Sequence, residues 1–196
     1  LDGEWGGLTA AERGRLLMRL SARVLEAADD LAQLEALDVG KPLKQARNDA
    51  VAMARYFEFY GGAADKVMGE TIPFAAGHQV TLLREPLGVT AHIVPWNYPA
   101  QIMGRSVAAA LAMGNAAVLK PAEDTNLSAL RFAEIAQAAG LPDGALNVVT
   151  GFGEEAGAAL AAHPGIDFIS FTGSNEVGTL VQQAAAKNAV KCTLEL

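Results

Sequence analysis

The stretch GVTAHIVPWNYPAQIMGRSVAAALAMGNAAVLK, from Gly88 to Lys120, decides the fold. It opens with the apolar, β-branched run V-T-A-H-I-V, which is typical of a buried strand. A helical stretch follows from Pro99 to Met113, with the proline at the first helical position, where a helix tolerates it best. A second apolar run, A-A-V-L-K from Ala116, predicts another strand. The stretch is therefore predicted to be a strand–helix–strand unit.

The same alternation continues to the end of the chain. Three more strand-like runs follow, at residues 146–149, 167–171 and 190–194. Helical stretches at residues 124–139, 154–162 and 175–187 lie between them. Five apolar strands that alternate with helices predict a parallel sheet covered on both faces. We therefore expect an α/β fold with a doubly wound parallel sheet, a Rossmann-like variant that binds ligands at the carboxyl ends of its strands.

Helices and a hairpin are predicted ahead of this sheet. T-A-A-E at Thr9 is a capping box, and leucines then recur at helical spacing until Gly40 and Pro42 break the pattern. A second helix is predicted over residues 44–64. V-T-L-L-R at residues 80–84, flanked by turn residues, predicts an extended hairpin. The expected organisation is a helical lead-in at 1–68, a hairpin at 69–86 and an α/β domain at 87–196.

Composition narrows the class of protein. The 196 residues are 51% hydrophobic and 19% charged, which is enough apolar material for a buried core. The net charge of -7 argues against a nucleic-acid or anionic-membrane surface, and no apolar run is long enough for a spanning helix. A single cysteine, Cys192, excludes an internal disulfide and favours a reducing, cytoplasmic compartment. Because the chain starts without Met and stops within a predicted strand, we expect it to be part of a longer polypeptide.

Two opposite charges follow the strand that ends at Lys120. Lys120 and Glu123 would lie together at the ligand edge of the sheet, where a nucleotide ribose could accept from the first and donate to the second. An ordinary strand-end lysine and a glutamate favoured by a helix dipole would give the same pattern. Both interpretations stay open at this point.

Two glycine-containing turns also follow strands. F-T-G-S at residues 171–174 opens a helix, so Gly173 and the free N–H groups of the helix start would suit a pyrophosphate, although a plain serine cap explains Ser174 equally well. T-G-F-G-E-E-A-G from Thr150 has the spacing G-x-G-x-x-x-G, one residue longer than the dinucleotide fingerprint. We therefore do not expect it to be the pyrophosphate loop, although Gly151 could let a flat ring lie close.

The remaining reactive side chains are scattered. The three histidines stand far apart with no cysteine or carboxylate at ligand spacing, so no metal site is predicted. Cys192 lies within an apolar strand, where a thiol usually packs as a small hydrophobe. Glu195 ends this strand beside the expected crevice, where a carboxylate is either a general base or a solvated terminus.

Four motifs follow one another along the chain: P-W-N-Y-P at residue 95, L-K-P-A-E at 119, F-T-G-S-N-E-V-G at 171 and T-L-E-L at 193. Their order and spacing closely resemble the aldehyde dehydrogenase superfamily. Two upstream motifs, L-D-V-G-K-P-L and Y-G-G-A-A-D-K-V-M-G-E-T-I-P, are also similar to the helical lead-in of that family. The resemblance covers nearly the whole chain.

The resemblance implies roles for individual residues. Asn97 would donate its amide to the substrate oxygen when a cysteine thiolate adds to an aldehyde, and Glu195 would be the general base for hydrolysis of the thioester. A helix cap ahead of Pro99 is the plain alternative for Asn97. The family binds its cofactor without a G-x-G-x-x-G loop, and the cofactor cleft would be lined by Ile93, Val94, Pro95, Trp96, Lys120, Ala122, Glu123, Gly151, Gly173, Ser174, Val177 and Leu196.

The resemblance also implies a function. The parent enzyme would oxidise a small-molecule aldehyde to a carboxylic acid with NAD, and NADP less readily because Glu123 would repel a 2′-phosphate. The hairpin resembles the family's oligomerisation segment, which implies a homodimer or homotetramer. The family's nucleophilic cysteine follows the E-L motif, and Cys192 does not match it because it precedes Glu195, so this chain alone would bind cofactor but lack the catalytic domain. A catalytically inert dinucleotide-binding module, or a relative that forms acyl-CoA or reduces acyl phosphates, is the alternative.

Overall fold

The computed structural model describes residues 3–196. Its helices are α1 (Glu4–Gly7), α2 (Ala10–Glu26), α3 (Ala28–Val39), α4 (Leu43–Ala63), α5 (Pro99–Ala112), α6 (Leu127–Ala138), α7 (Ala158–Ala161) and α8 (Asn175–Ala186). Its strands are β1 (Glu70–Ile72), β2 (Val80–Leu82), β3 (Val89–Ile93), β4 (Ala116–Lys120), β5 (Leu146–Val148), β6 (Phe168–Thr172) and β7 (Lys191–Glu195). A short 3-10 turn extends α4, and a turn of π-helix at Gly153–Gly157 leads into α7.

Five parallel strands form the main sheet, in the order β5-β4-β3-β6-β7. The chain starts in the middle at β3, moves outward through β4 and β5, and then returns to build β6 and β7 on the other side. The strand order therefore reverses between β3 and β6, where Ile93 pairs with Phe171. In a sheet of this topology, the crevice beyond that reversal point is where ligands bind. The predicted doubly wound α/β fold is confirmed.

Helices cover both faces of this sheet. On one face α5 and α6 pack on the strands, and α2, α3 and α4 form a further layer behind them. The rings of Phe57 in α4 and Phe132 in α6 are fully buried with centroids 5.4 Å apart. Removing such a side chain from water contributes roughly 1.5–3 kcal/mol. The opposite face is smaller, and α7 and α8 cover it with Ile169, Phe171 and Val181 in its core.

The first predicted helix is two helices in the structure. The capping box is present, since the Thr9 side chain accepts from the Glu12 N–H and the Glu12 carboxylate accepts from the Thr9 N–H at 2.8 Å. The helix ends at Ala27, whose φ of -92° and ψ of 11° leave helical geometry, and a new helix starts at once. Asp29 and Asp30 lie in the first turn of the new helix, where negative charge is favourable.

A close approach of two backbones joins α2 to α4. A Cβ atom at Gly14 would lie 2.6 Å from the carbonyl oxygen of Gly61, and one at Gly61 would lie 3.0 Å from that of Gly14. Only glycine permits this contact. The α2–α4 pair is therefore fixed at short range, and it supports the layer on which α5 rests.

The predicted hairpin is also present. Strands β1 and β2 form a separate two-stranded antiparallel sheet, with Thr71 opposite Thr81. Both strands are largely exposed, as is the side chain of Phe74 between them. Among residues 3–196, no helix is long and apolar enough to cross a membrane.

Candidate functional site

A cleft lies beyond the reversal point of the sheet, between the turn that follows β3 and the ends of β6 and β7. Its volume is about 430 Å³. It is lined by Pro95, Trp96, Asn97, Tyr98, Gln101, Ile102, Arg105, Thr172, Gly173, Ser174, Glu195 and Leu196. Seven of the residues predicted from sequence meet here, including Asn97 and Glu195. They come from three segments that are far apart in the chain.

Asn97 occupies the turn between β3 and α5. Its side chain is exposed to the cleft, and within residues 3–196 it makes no hydrogen bond. Tyr98, with a φ of -137°, is the residue that precedes the first turn of α5, and no side chain caps that helix. The alternative that Asn97 is a helix cap is therefore wrong. The amide is left with both N–H donors free to bind a ligand oxygen.

The side chain of Glu195 reaches the same cleft from the end of β7. Its two carboxylate oxygens accept from the two terminal nitrogens of Arg105 in α5, with Nη1 3.3 Å from Oε1 and a closer contact between Nη2 and Oε2. Both side chains are substantially exposed, at 40% for Arg105 and 61% for Glu195. An ion pair in such a setting is worth at most about 1 kcal/mol, so little free energy is needed to release the carboxylate.

Arg105 was missed by sequence reasoning. It lies in the middle of a helix among small and apolar residues, a position that gives no sign of a ligand site. The topology brings it into the cleft, because the first turns of α5 run along the ends of β6 and β7. A positive side chain thus lines the same cleft as Asn97 and contacts the carboxylate of Glu195.

Lys120 and Glu123 form a second group, one strand away from the cleft. Lys120 ends β4 and is only 3% exposed, and its Nζ lies 3.2 Å from Oε2 of Glu123. The pKa of the Glu123 carboxyl is lowered by a hydrogen bond from its own backbone N–H and further by Lys120 and the N–H of Gly153. Glu123 is therefore an ionised acceptor, and the ammonium of Lys120 keeps further donors beyond this contact.

The start of α8 lies next to the cleft. Ser174 is its N-cap and accepts from the Val177 N–H at 3.3 Å, so the serine-cap interpretation is correct for this hydroxyl. The N–H of Gly173 donates to the backbone oxygen of Glu195 at 3.1 Å, which leaves it unavailable for a phosphate. A Cβ at Gly173 would lie 2.6 Å from the Phe171 ring. The contribution of Gly173 to an anion site is thus close approach of the backbone, while the helix start supplies the dipole.

The other predicted cofactor residues surround these groups. Ile93 ends β3, and Val94 extends the ladder with a hydrogen bond to Lys120 O and is buried. Ala122 is half-buried in the turn after Lys120, and Val177 is 45% exposed on the first turn of α8. Gly151 follows β5 with a φ of 139°, a conformation that only glycine adopts readily. All of them lie at or just beyond the carboxyl edge of the sheet.

No metal-ligating group is found within residues 3–196. His92 lies inside β3, where burial lowers the pKa of its imidazole to about 4. The Thr90 hydroxyl donates to the Ala116 oxygen at 2.9 Å, so it must accept from His92 Nε2–H, also at 2.9 Å. His92 is therefore a neutral core residue. Cys192 is half-buried in β7 and packs against the smaller core.

The chain matches known proteins over nearly its whole length. The model of the aldehyde dehydrogenase family matches residues 2–196. The hydroxyisobutyraldehyde dehydrogenase of Mycolicibacterium austroafricanum is 52% identical over 193 residues, a match that covers 98% of this chain and 38% of that protein.

Solved structures also match the chain over nearly its whole length. The crystal structure of a Burkholderia cenocepacia protein assigned as an aldehyde dehydrogenase is 69% identical with a TM-score of 0.98, covering 99% of this chain and 41% of that one. The structure of PnpE from Pseudomonas in complex with nicotinamide adenine dinucleotide is 44% identical with a TM-score of 0.96, covering 98% and 40% respectively. The chain spans about two fifths of the length of the relatives it matches.

Proposed function

Because this chain belongs to the aldehyde dehydrogenase family, we propose that the protein containing it oxidises a small-molecule aldehyde to a carboxylic acid in an NAD-dependent reaction. One observation carries the proposal. The free amide of Asn97 and the carboxylate of Glu195 face the same cleft at the reversal point of the sheet. The first suits a carbonyl oxygen that gains negative charge, and the second suits the removal of a proton from water.

Asn97 acts on the substrate oxygen. When a thiolate adds to the aldehyde carbon, the carbonyl oxygen becomes an oxyanion, and the Asn97 amide donates to it. A fixed donor aimed at developing charge contributes about 3–4 kcal/mol to the transition state. Its turn is stiffened by Pro95 and Pro99, and Pro99 is buried at the start of α5. The resemblance to the family implies that the thiolate comes from a cysteine that follows the E-L motif, whereas Cys192 precedes Glu195 and packs against the smaller core.

Glu195 acts in the second half of the reaction. The carboxylate takes a proton from water, and the oxygen of that water forms a bond to the thioester carbon while the bond to sulfur breaks. The proton can be accepted by a lone pair that Arg105 does not occupy, or by an oxygen that leaves its contact with Arg105. The exposure of this pair makes that exchange inexpensive. The presence of a base at this position supports hydrolysis over acyl transfer to a second cofactor.

The residues at the ends of β4 and β6 fit a nucleotide cofactor. Lys120 has donors to spare for ribose hydroxyls, Glu123 is an ionised acceptor, and the start of α8 offers a favourable dipole for phosphate. When bound, NAD would accept the hydride that leaves the substrate carbon. The negative charge of Glu123 supports NAD over NADP, because it would repel a 2′-phosphate.

Cofactor choice can be measured by titration of the natural protein with NAD and NADP. We expect tighter binding of NAD, and E123Q should narrow the difference between the two dissociation constants. The Q137E variant, altered on the exposed face of α6, serves as a control for a change of charge away from the site. Tighter binding of NADP than of NAD by the natural protein would contradict the assignment of Glu123.

The activity is tested by incubating the natural protein with a panel of aliphatic, aromatic and carboxylate-bearing aldehydes and NAD. We expect aldehyde-dependent formation of NADH together with an equal amount of carboxylic acid. Cofactor binding with no turnover on any aldehyde would instead favour an inert dinucleotide-binding module. Turnover that requires coenzyme A or phosphate would favour the acyl-transferring relatives.

The oligomeric state and the cellular location of the protein are the last two parts of the proposal. The exposed hairpin β1–β2 carries apolar side chains at Ile72, Phe74 and Leu83, which supports a role in joining subunits of a homodimer or homotetramer. A monomer in gel filtration of the natural protein would contradict it. The single cysteine of the chain supports a cytoplasmic location.

A further inference from the structure

A buried cluster of charges lies behind the candidate cleft. Lys41 Nζ lies 2.6 Å from Glu35 Oε1 and 2.8 Å from Asp49 Oδ2. The three side chains are almost completely buried, with exposed fractions of 7%, 0% and 5%. Glu35 belongs to α3, Asp49 belongs to α4, and Lys41 lies in the connection between these helices. We call these three residues the buried triad.

The buried triad contacts the turn that carries Asn97. The second oxygen of Glu35, Oε2, accepts from the Ala100 N–H in the first turn of α5 at 3.1 Å. The ammonium of Lys41 lies 4.4 Å from the centroid of the Tyr98 ring, close enough for a cation–π contact. Tyr98 and Ala100, one and three residues after Asn97, are thus both in contact with the buried triad.

A third contact adds to these two. Gln45, on the first turn of α4, donates through Nε2 to the Tyr98 hydroxyl at 2.9 Å. The Tyr98 side chain is therefore fixed at its ring face by Lys41 and at its hydroxyl by Gln45. By contrast, Trp96 on the other side of Asn97 is 60% exposed. Contacts of Tyr98 and Ala100 therefore hold the turn on the C-terminal side of Asn97.

Glu35 also supplies what the start of α5 lacks. The first N–H groups of a helix have no partner within the helix, and α5 has neither a side-chain cap nor an acidic residue in its first turn. The carboxylate of Glu35 accepts from one of these groups and places negative charge at the positive end of the helix dipole. The interaction that satisfies the start of α5 therefore comes from Glu35 in α3 and not from the residues of α5 itself.

Stability alone gives a weak reason for such a cluster. Removing two carboxylates and an ammonium from water is expensive, and apolar residues of similar size are often as stable in their place. Burial raises the pKa of Glu35, which reflects this penalty. Buried charges with defined hydrogen bonds do, however, fix geometry, because their partners have few alternative arrangements.

We propose that Glu35, Lys41 and Asp49 are positioning residues for Asn97, holding its amide at the place where the substrate oxygen gains charge. The inference rests on the proposed role of Asn97. Lys41 neutralises the two carboxylates and contacts Tyr98, Asp49 holds Lys41, and Glu35 fixes the start of α5. None of the three contacts the substrate.

A double-mutant cycle on the natural protein tests this idea. K41M should lower kcat for aldehyde oxidation about 10- to 100-fold, since a misplacement of about 1 Å costs rate on this scale. In the N97A background the same substitution should lower kcat less than twofold, because the group it positions is already gone. The dissociation constant for NAD should stay within twofold in every variant.

The matched control is S21A. Ser21 is also buried and donates to the Ala54 oxygen at 2.7 Å, but it lies between α2 and α4 with no contact to the Asn97 turn. S21A should lower the melting temperature and leave kcat within twofold. If K41M does not fold, Q45L replaces it, because Gln45 is uncharged and also holds Tyr98, and a two- to fivefold loss of kcat is expected only when Asn97 is present.

Two results would overturn the proposal. One is an equal fall of kcat in both backgrounds, and the other is a kcat that K41M leaves unchanged while stability falls. Crystal structures of the natural and K41M proteins give a readout besides activity, and we expect the Asn97 amide to be displaced or disordered in K41M but not in S21A. If N97A itself keeps full kcat, the proposed role of Asn97 is wrong. The crystal structures then test the buried triad on its own, because an Asn97 side chain that does not move in K41M would show that the triad does not position it.

Discussion

The stability of the protein should depend strongly on Lys41. Replacing it by methionine keeps much of the side-chain volume but removes the ammonium that contacts Glu35 and Asp49. A hydrogen bond to a charged group contributes about 1.5–3 kcal/mol, so the two contacts together contribute about 3–6 kcal/mol. In other proteins, removing one partner of a buried ion pair lowers the free energy of unfolding by about 3–5 kcal/mol. We therefore expect K41M to lower the free energy of unfolding by about 3–5 kcal/mol near neutral pH.

The loss should also depend on pH. Burial is the main cause that raises the pKa of Glu35 in the folded protein, and Lys41 opposes it. A carboxyl whose pKa is raised by folding stabilises the protein at pH values below its unfolded pKa, and this contribution is lost as the pH rises through the folded pKa. Without Lys41 the folded pKa of Glu35 rises further. Its protonation then relieves the unpaired charge, so the cost of K41M should be smaller at about pH 5 than at about pH 8.

The assay is urea unfolding followed by circular dichroism at both pH values. K44M is the control, because Lys44 lies in the first turn of α4 and is exposed, so the same substitution should change stability by less than about 0.5 kcal/mol. A loss below about 1 kcal/mol for K41M would refute the reasoning, since the triad would then contribute no more than a surface pair. An equal loss at both pH values would refute the part assigned to Glu35.

Three further predictions concern the cleft and the helix packing. N97A should lower kcat about 100- to 1,000-fold with little change in KM, as measured by steady-state kinetics, and a loss below tenfold would remove the oxyanion role. E195Q should slow release of the acid while the first turnover remains fast, which stopped-flow measurement of NADH would show as a burst, and unchanged turnover would exclude Glu195 as the base. G14A should cost about 1–3 kcal/mol of unfolding free energy, because its Cβ would lie 2.6 Å from the Gly61 oxygen. G62A, with open space around the new Cβ, should instead stabilise by about 0.5–1 kcal/mol, and similar effects of the two substitutions in calorimetry would contradict the packing argument.

Much of the fold follows from local sequence signals. The five parallel strands begin and end within about one residue of their predicted bounds, because apolar β-branched runs between turn residues leave few alternatives. The break at Ala27 was not predicted, since alanine favours a helix and the leucine spacing continues past it. The sequence carries no signal for this break, because helix propensity is a weak guide that tertiary context overrides.

The site was predictable only in part. Asn97 and Glu195 lie beyond or at the carboxyl ends of strands, where parallel sheets of this kind bind ligands. The structure brings both residues to one cleft. Glu35 and Asp49 gave no such signal, because a carboxylate on a helix is usually solvated. Which face of each helix is buried depends on the partner helix, and neither hydrophobic spacing nor charge pattern shows that Lys41 lies between them.

Strand β7 pairs in parallel with β6 so that Glu195 lies opposite Thr172. Side chains alternate along a strand, so one residue added between Lys191 and Glu195 would turn the carboxylate to the opposite face of the sheet and bring a leucine to the cleft. An addition to the turn at residues 187–190 would leave this register intact. Insertions and deletions among homologues of this protein should therefore fall before β7 and not within it.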